Sequence, residues 1–557
     1  MKIALAQINP TVGDFTGNTN KILEYAARAE EQGADLAVFP ELAVCGYPPA
    51  DFLEKTAFVA RACQAIDEIA AWTAAPGRPA LLVGSVMPDH SPVGKRVRNV
   101  AVLLSGGKIA FVQQKMLLPF YDVFDEQRYF EPAVSQSLTM VDGQPLAVTV
   151  CEDAWNDKGF WPRQLYSVDP VDSLMRQWSK SSEFDSHPRL ILNISASPFN
   201  QGKPQVRQRM LAAIAERHNA FVLMVNQVGG NDGLVFDGSS IMLSPIGEVI
   251  GRAACFDEDL VLVDTENFTA DTRPPCDDMA QVWQALVLGT RDYVRKCGFS
   301  KVLVGLSGGI DSALVAAIAV EALGAENVIG VGMPTEYSSL GSIADARKLA
   351  KNLGIRFELL PIHEVFAEFQ KVLDPLFRGT PFGLAEENLQ PRIRGTLLMA
   401  LSNKFGALVL TTGNKSEMAV GYCTLYGDMV GALAVIGDVY KTRVYELSHY
   451  ANRGREIIPQ STIDKPPSAE LRPGQRDTDS LPPYDVLDPI LKAYVERYLS
   501  AEQIAEEQNV DVGLVRSVLK LVEQSEYKRQ QAAPVLKVTE KSFGTGRRFP
   551  IAVKVQV

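Results

Sequence analysis

Three residue types that together can open an amide bond stand where apolar runs end. Cys151 follows LAVTV and begins CEDAW, Glu41 closes the run LAVFPE, and Lys115 follows FVQQ. A thiol at the carboxyl end of a strand can attack a carbonyl carbon if a base takes its proton and a positive charge steadies the oxyanion. Histidine is the commonest base for a thiol, but the chain has 5 histidines, and His90, His187 and His218 lie in polar loop or helical contexts. A carboxylate is the remaining candidate, and Glu41 supplies one. Taken alone, Cys151 also reads as a small buried hydrophobe, the usual fate of a free cysteine.

A second constellation lies in KVLVGLSGGIDSALVAAIA, where Gly305, Leu306, Ser307, Gly308, Gly309, Ile310, Asp311 and Ser312 connect an apolar strand to an apolar helix. Backbone amides and the helix N-terminus converge there, which favours an anion. Gly308 and Gly309 let the main chain approach closely, Ser307 and Ser312 offer hydroxyls, and Asp311 offers a carboxylate for Mg²⁺. The loop lacks the GK[ST] ending of a Walker loop, which argues against ordinary γ-phosphate hydrolysis.

These groups need two different scaffolds. Up to about residue 265, short β-branched runs (IALAQ, DLAVFP, ALLVGSV, NVAVLL, IAFVQQ, LAVTV, LILNIS, FVLMVNQ, SIMLS and LVLVD) recur with few helical stretches between them, which predicts packed sheets covered by helices. Residues 268–278 read as a polar, proline-bearing linker. Beyond it, strands KVLVGL and VIGVGM alternate with long helical stretches, which predicts a doubly wound parallel sheet. The expected division is therefore 1–267, a linker at 268–278, and 279–557. Within the second domain, residues 461–484 carry prolines and charges with no regular period, a long loop of the kind that forms lids. The C-terminal residues form a modest basic tail.

At 557 residues the chain exceeds the size of a single core. Its net charge of -11 works against general attraction to nucleic acid or anionic membrane. The apolar run at the N-terminus is too short for a signal segment, and no stretch approaches transmembrane length. The 7 cysteines are scattered without paired spacing, which argues against a disulfide framework and a zinc site. A reducing cytoplasm is the expected compartment.

The motifs FPEL around Glu41, QQKMLLPFYDVFDEQRYF around Lys115 and CEDAW around Cys151 resemble the nitrilase superfamily over about residues 1 to 265. That resemblance implies an αββα sandwich and amide hydrolysis through a thioester, with Cys151 as nucleophile, Glu41 as base, Lys115 steadying the oxyanion and Glu126 positioning them. From the superfamily's glutaminases it further implies a glutamine pocket at Tyr121, Glu126, Ser197 and Lys203. SGGIDS resembles the PP-loop of N-type ATP-pyrophosphatases, which cleave ATP to AMP and pyrophosphate. The stretches ENLQPRIRGTLLMALSNKFGALVLTTGNKSEMAVGYCTLYGDMVGALAVIGDVYKTRVYEL and DKPPSAELRPGQRDTDSLPPYDVLD are similar to NAD synthetases. This implies ATP contacts by the loop Gly305–Ser312 and by Thr412, Lys441 and Ser468. It implies deamido-NAD contacts by Asn388, Arg392, Arg394, Glu417 and Lys528, and Mg²⁺ at Asp311 and Glu417. Arg392 and Arg394, two apart, diverge on a helix, so one meets substrate while the other braces the fold. Fused enzymes of this type imply a homo-oligomer. Two alternatives remain at this point: a PP-loop amidotransferase with another acceptor, and a nucleotide-sensing protein with decayed sites, although Glu41, Lys115, Cys151, Asp311 and Glu417 are all present.

Overall fold

The computed structural model describes residues 1–267 and 269–554. Phe268, where the linker was expected to begin, and residues 555–557, the end of the basic tail, lie outside the described residues. The chain forms two compact units, Met1–Gln281 and Val282–Val557.

In the first unit each of the ten β-branched runs forms a strand. One sheet has the order Thr269–Ala270, Asp259–Asp264, Lys2–Gln7, Leu36–Val38, Ala80–Pro88, Val97–Ser105, Lys108–Gln114. The other has the order Val249–Arg252, Ile241–Leu243, Phe221–Asn226, Leu190–Ser195, Gln144–Val150, Thr139–Val141. Alternation along each strand builds two kinds of core. Ile3, Leu5, Leu36 and Val38 pack with Val148, Val150, Leu192 and Ile194 between the sheets. The intervening Ala4, Ala6 and Ala37 face outward against Ile22, Ala26, Ala62 and Ile66 of the helices Phe15–Glu31 and Thr56–Trp72. On the opposite side, Ala147, Ile191 and Met224 pack against Leu174, Met210 and Ile214 of Pro170–Lys180 and Lys203–His218. The result is an αββα sandwich in which Glu41, Lys115 and Cys151 follow the ends of Leu36–Val38, Lys108–Gln114 and Gln144–Val150. The stretch expected to be a linker instead contributes structure to this unit: Thr269–Ala270 pairs with Asp259–Asp264, and Thr272 bridges Arg252.

The second unit holds a parallel sheet in the order Arg356–Leu359, Val328–Gly332, Val302–Gly305, Leu408–Thr411, Leu433–Ala434. The first strand in sequence lies at its centre, so the chain reverses its winding there, and ligands bind at such switch points. The loop 305–312 leaves that central strand and enters the helix Ile310–Leu323. The expected lid is not wholly irregular, since it begins on the helix Gln460–Asp464 and turns at Asp477–Asp479.

The basic tail is turned into its own unit. Val535 bridges Ala434, and Asp438 accepts hydrogen bonds from the Val538 and Thr539 amides at 2.8 and 2.7 Å. The fully buried Lys415 donates to Glu496, to the Thr539 hydroxyl and to the Lys541 carbonyl. Lys537 and Arg547 are buried as well, with Arg547 paired to Glu526 at 2.5 Å.

Candidate active sites

In the first unit, Lys115 is the hub. Its Nζ donates to Glu41 Oε1 at 2.7 Å and to both oxygens of Glu126 at 2.9 and 2.8 Å, with Glu41 and Lys115 fully buried. Burial disfavours the ammonium, but Glu126, Glu41 and Cys151 outweigh it and hold the Lys115 pKa well above its ordinary value. Glu41 is fixed from two further directions, by Asn99 Nδ2 at 2.7 Å and by the Ala196 amide at 3.0 Å. Glu126 also accepts from the Tyr47 hydroxyl at 2.8 Å. Burial pushes its carboxyl up to about 7, with Lys115 acting the other way.

Cys151 opens a short 3₁₀ turn, Cys151–Ala154, directly after the strand Gln144–Val150. Its φ is +42, a left-handed conformation that costs a β-carbon residue of order 1–3 kcal/mol and lifts the thiol out of the strand line. Burial and Glu41 raise the thiol's pKa well above its ordinary value, and Lys115 counters them. Attack by this sulfur therefore calls for a partner that takes the thiol proton.

The expected glutamine contacts gather around it. The Tyr121 hydroxyl meets Glu152 at 3.0 Å, Ser197 is buried beside the Ala196 amide that fixes Glu41, and Lys203 lies over the rings of Trp155 and Phe124 at 5.4 and 5.9 Å. Glu152, absent from the sequence expectations, is buried next to the nucleophile and takes a second hydroxyl from Tyr166 at 3.0 Å. Burial raises its pKa against the pull of Lys115, the two tyrosines and Lys203. Its place in CEDAW was the only available signal.

In the second unit a cavity of about 280 Å³ is walled by Gly305, Leu306, Ser307, Gly309, Ile310, Asp311 and Ser312, and by Thr412, Glu417, Lys441 and Ser468. Gly308 sets the loop's approach: its φ is +79, and a β-carbon there would stand 2.2 Å from the Ser342 carbonyl oxygen. The serines brace the turn, with the Gly309 amide donating to Ser307 Oγ at 3.2 Å and Ser312 Oγ donating to the Gly309 carbonyl at 3.0 Å.

Lys441 Nζ pairs with Asp311 Oδ2 and lies 3.9 Å from Glu417. Asn414 ties the group together by donating to Asp311 Oδ1 at 2.9 Å and capping the helix Lys415–Val420. Burial first, and then Asp311, push the Glu417 carboxyl up to about 8. A divalent cation beside Asp311 and Glu417 would favour the ionised form of both and so offset the burial that raises the Glu417 carboxyl. Among the described residues no group of three or more His, Cys, Asp or Glu side chains could hold a metal ion, so Mg²⁺ here would draw its remaining ligands from phosphate oxygens and water, as it commonly does.

The two arginines point to different places. Arg394 lines the cavity and donates to the Met333 carbonyl at 3.0 Å, whereas Arg392 donates to the Leu425 carbonyl at 3.2 Å. Asn388, Arg392 and Lys528 are not on the cavity wall. They converge instead on the segment 421–425: Asn388 accepts from the Thr424 hydroxyl at 2.9 Å, and Lys528 Nζ donates to the Gly421 and Cys423 carbonyls at 2.6 and 2.7 Å. Asp428, missed by the sequence reading, does line the cavity, and burial raises its pKa to about 6. The lid is seated on the same cavity. Glu470 accepts from the Ser342 hydroxyl at 2.7 Å, Lys465 pairs with Asp345 at 3.2 Å, and Gln390 donates to the Leu471 carbonyl at 2.9 Å.

Comparison with known proteins assigns both units. The carbon-nitrogen hydrolase family model matches residues 2–273, and the NAD synthase model matches residues 282–532. A glutamine-dependent NAD(+) synthetase of Synechocystis is 50% identical, covering 99% of this chain and 98% of its own length. One from Thermotoga maritima is 43% identical over the same shares of the two chains. The solved structure of the Acinetobacter baumannii glutamine-dependent NAD+ synthetase in complex with ADP is 40% identical, with a TM-score of 0.76 over 99% of this chain and 98% of that one. The likeness runs through both units and the junction between them, so the chain belongs to the glutamine-dependent NAD(+) synthetases.

Proposed function

We propose that Cys151, Glu41, Lys115 and Glu126 hydrolyse glutamine, and that the 305–312 cavity adenylates deamido-NAD with ATP and passes the adenylate to the ammonia so formed. The observation that carries the first half is the buried Lys115, bonded to the carboxylates of both Glu41 and Glu126. Cys151 Sγ attacks the side-chain amide carbon while its proton passes to Glu41. Lys115 and neighbouring donors steady the oxyanion, Glu41 returns the proton to the departing ammonia, and water activated by Glu41 then cleaves the thioester to release glutamate. Glu152 and Lys203 carry opposite charges beside the thiol and suit the ammonium and carboxylate of the amino acid, with Tyr121 and Ser197 as polar contacts.

In the second half the nicotinate carboxylate attacks the ATP α-phosphorus and expels pyrophosphate, and ammonia then displaces AMP from the adenylate. The loop amides, Lys441, Thr412 and Ser468 hold the phosphates, and Arg394 meets the dinucleotide. Asn388, Arg392 and Lys528 support it through the 421–425 segment. Mg²⁺ held by Asp311 and Glu417 would neutralise charge on the leaving pyrophosphate. The lid excludes water from the adenylate, which water would otherwise hydrolyse. Ammonia must reach the adenylate as the free base, which a protected passage between the two reactions provides. The enzyme is further proposed to be a cytoplasmic homo-oligomer. Incubation with ATP, glutamine and deamido-NAD should yield NAD, AMP and glutamate together by mass spectrometry. With ¹⁵N-ammonium added beside unlabelled glutamine, mostly unlabelled NAD supports the passage, and incorporation at the bulk isotope ratio rejects it.

A further inference from the structure

The residues assigned to amide hydrolysis are side chains at three strand ends, and their mutual distances depend on how those ends are joined. One carboxylate outside the mechanism joins two of them. Asp153, two residues beyond the nucleophile and 1% exposed, accepts four hydrogen bonds. Its Oδ1 takes the Met116 and Leu117 amides at 3.0 and 2.8 Å, the two residues that follow Lys115. Its Oδ2 takes the Val150 amide, immediately before Cys151, at 3.1 Å and Gln136 Nε2 at 2.8 Å. An ordinary turn-capping aspartate would engage its own turn alone. Here one oxygen closes the nucleophile's turn and the other reaches across to the lysine's strand end.

The turn it closes is strained at Cys151, and a strained backbone persists only where its surroundings hold it. The lysine side has its own anchor, because the Lys115 amide donates to the Asn99 carbonyl at 2.9 Å while Asn99 Nδ2 holds Glu41. Asn99 thus registers base to lysine, and nothing in that link reaches the thiol. We propose that Asp153 is a positioning residue that fixes the strained Cys151 turn in register with the Lys115 strand end, so that the sulfur stays where Lys115 can steady its anion.

Asp153→Asn keeps the shape and one acceptor oxygen but turns an NH₂ toward donors, either Val150 and Gln136 or Met116 and Leu117, so the register loosens without removing any group of the mechanism. The expected result is a fall in glutaminase kcat of about 100-fold, with KM for glutamine within about a factor of three, since misplacement near 1 Å costs rates of that order while leaving ground-state binding. The pH midpoint for alkylation of Cys151 by iodoacetamide should move upward, because the anion loses its lysine. A lower melting temperature with kcat and the alkylation midpoint both unchanged would overturn the proposal. If Asp153→Asn lacks the near-ultraviolet circular dichroism of the wild type, Gln136→Met removes one of the four donors with no donor clash. It should lower kcat several-fold and move the alkylation midpoint in the same direction, and no change in either would equally overturn the proposal.

Discussion

The two reaction centres hold the same set of charges, one lysine against two carboxylates, in different surroundings. Around Cys151 the protein supplies all the charge itself: two carboxylates and an ammonium are buried together, and each is held by strand-end hydrogen bonds before glutamine arrives. Around Gly308 a like set, Lys441 with Asp311 and Glu417, stands on the wall of a cavity beside a loop of backbone amides, where a ligand brings further charge of its own. The difference follows the substrates. Glutamine brings a neutral amide to be split, and the site must generate a nucleophile and absorb an oxyanion. ATP brings its own negative charge, and the site must position it and keep water away.

The sharpest way to break this comparison is a pair of variants. Cys151→Ala should lower glutamine-dependent NAD formation by at least about 10⁴-fold and spare synthesis from high ammonium, since loss of a nucleophile is among the costliest single changes. Asp311→Asn should abolish AMP formation with either nitrogen source and spare glutaminase activity. If both variants lost both activities, the two sites could not be treated as separate.

A smaller effect is expected from the backbone. Gly308→Ala places a methyl group 2.2 Å from the Ser342 carbonyl at a φ of +79, so the loop must shift. Synthesis from ammonium should fall about 10–100-fold, as expected for misplaced phosphate contacts, and glutaminase activity should be unchanged. Full retention of synthesis would show that the loop does not grip ATP.

The pH response should separate the sites further. Glu126 titrates near 7 in the folded protein against an ordinary value of 4.5, so the folded state holds a proton that the unfolded chain releases between these values. The contribution of Glu126 to the stability of the first unit is therefore fully present below 4.5 and is lost as pH rises through about 7. Glutaminase activity should run the opposite way. As pH falls below 7 the protonated Glu126 no longer balances Lys115, and kcat/KM should drop by up to about tenfold per unit. Glu126→Gln should flatten both slopes, and parallel slopes in the wild type would reject the assignment. The smallest effect concerns the lid: Glu470→Ala releases its hold on Ser342, and AMP formed per NAD should rise from one to about two as water reaches the adenylate. A ratio that stays at one would show that Glu470 does not latch the lid.

What the sequence showed and what it hid divide along the same physical line. Strands of alternating apolar residues and the glycine loop were legible because each is written in consecutive residues. So was Cys151, because strand, thiol and acidic turn adjoin. Thr139–Val141 and the pair Val228–Asn231 and Leu234–Asp237 were not legible, because strands of three or four residues carry too little pattern to register. Prolines and charges likewise mask Thr269–Ala270, a two-residue strand inside the stretch read as a linker that exists only by pairing with Asp259–Asp264. Among site residues, Asn388 and Lys528 resembled substrate contacts, yet their polar atoms go to the 421–425 segment through contacts made only in the folded unit. Asn99 and Asn414 were invisible for the same reason, since each acts through partners distant in sequence, and Asp428 because only the folded unit brings it to the cavity wall.

The buried Lys415 imposes an order in time. It begins the helix that carries Glu417 and follows Asn414, the residue that ties Asp311 in place, yet part of its hydrogen bonding comes from Thr539 and Lys541, more than 100 residues later. On the ribosome, a chain that has already made its phosphate loop and lid still holds this ammonium without the Thr539 hydroxyl and the Lys541 carbonyl that help to bury it, and desolvated charge of that kind keeps a fold from closing. The glutamine-splitting unit carries a debt of the same kind, since the buried Glu41 takes the Ala196 amide 155 residues later, but Ala196 still precedes the second unit in the chain. During translation the glutamine-splitting unit can mature first, while the ATP-consuming reaction stays off until the distal segment has docked, so half-made chains do not spend ATP on an adenylate they cannot shelter.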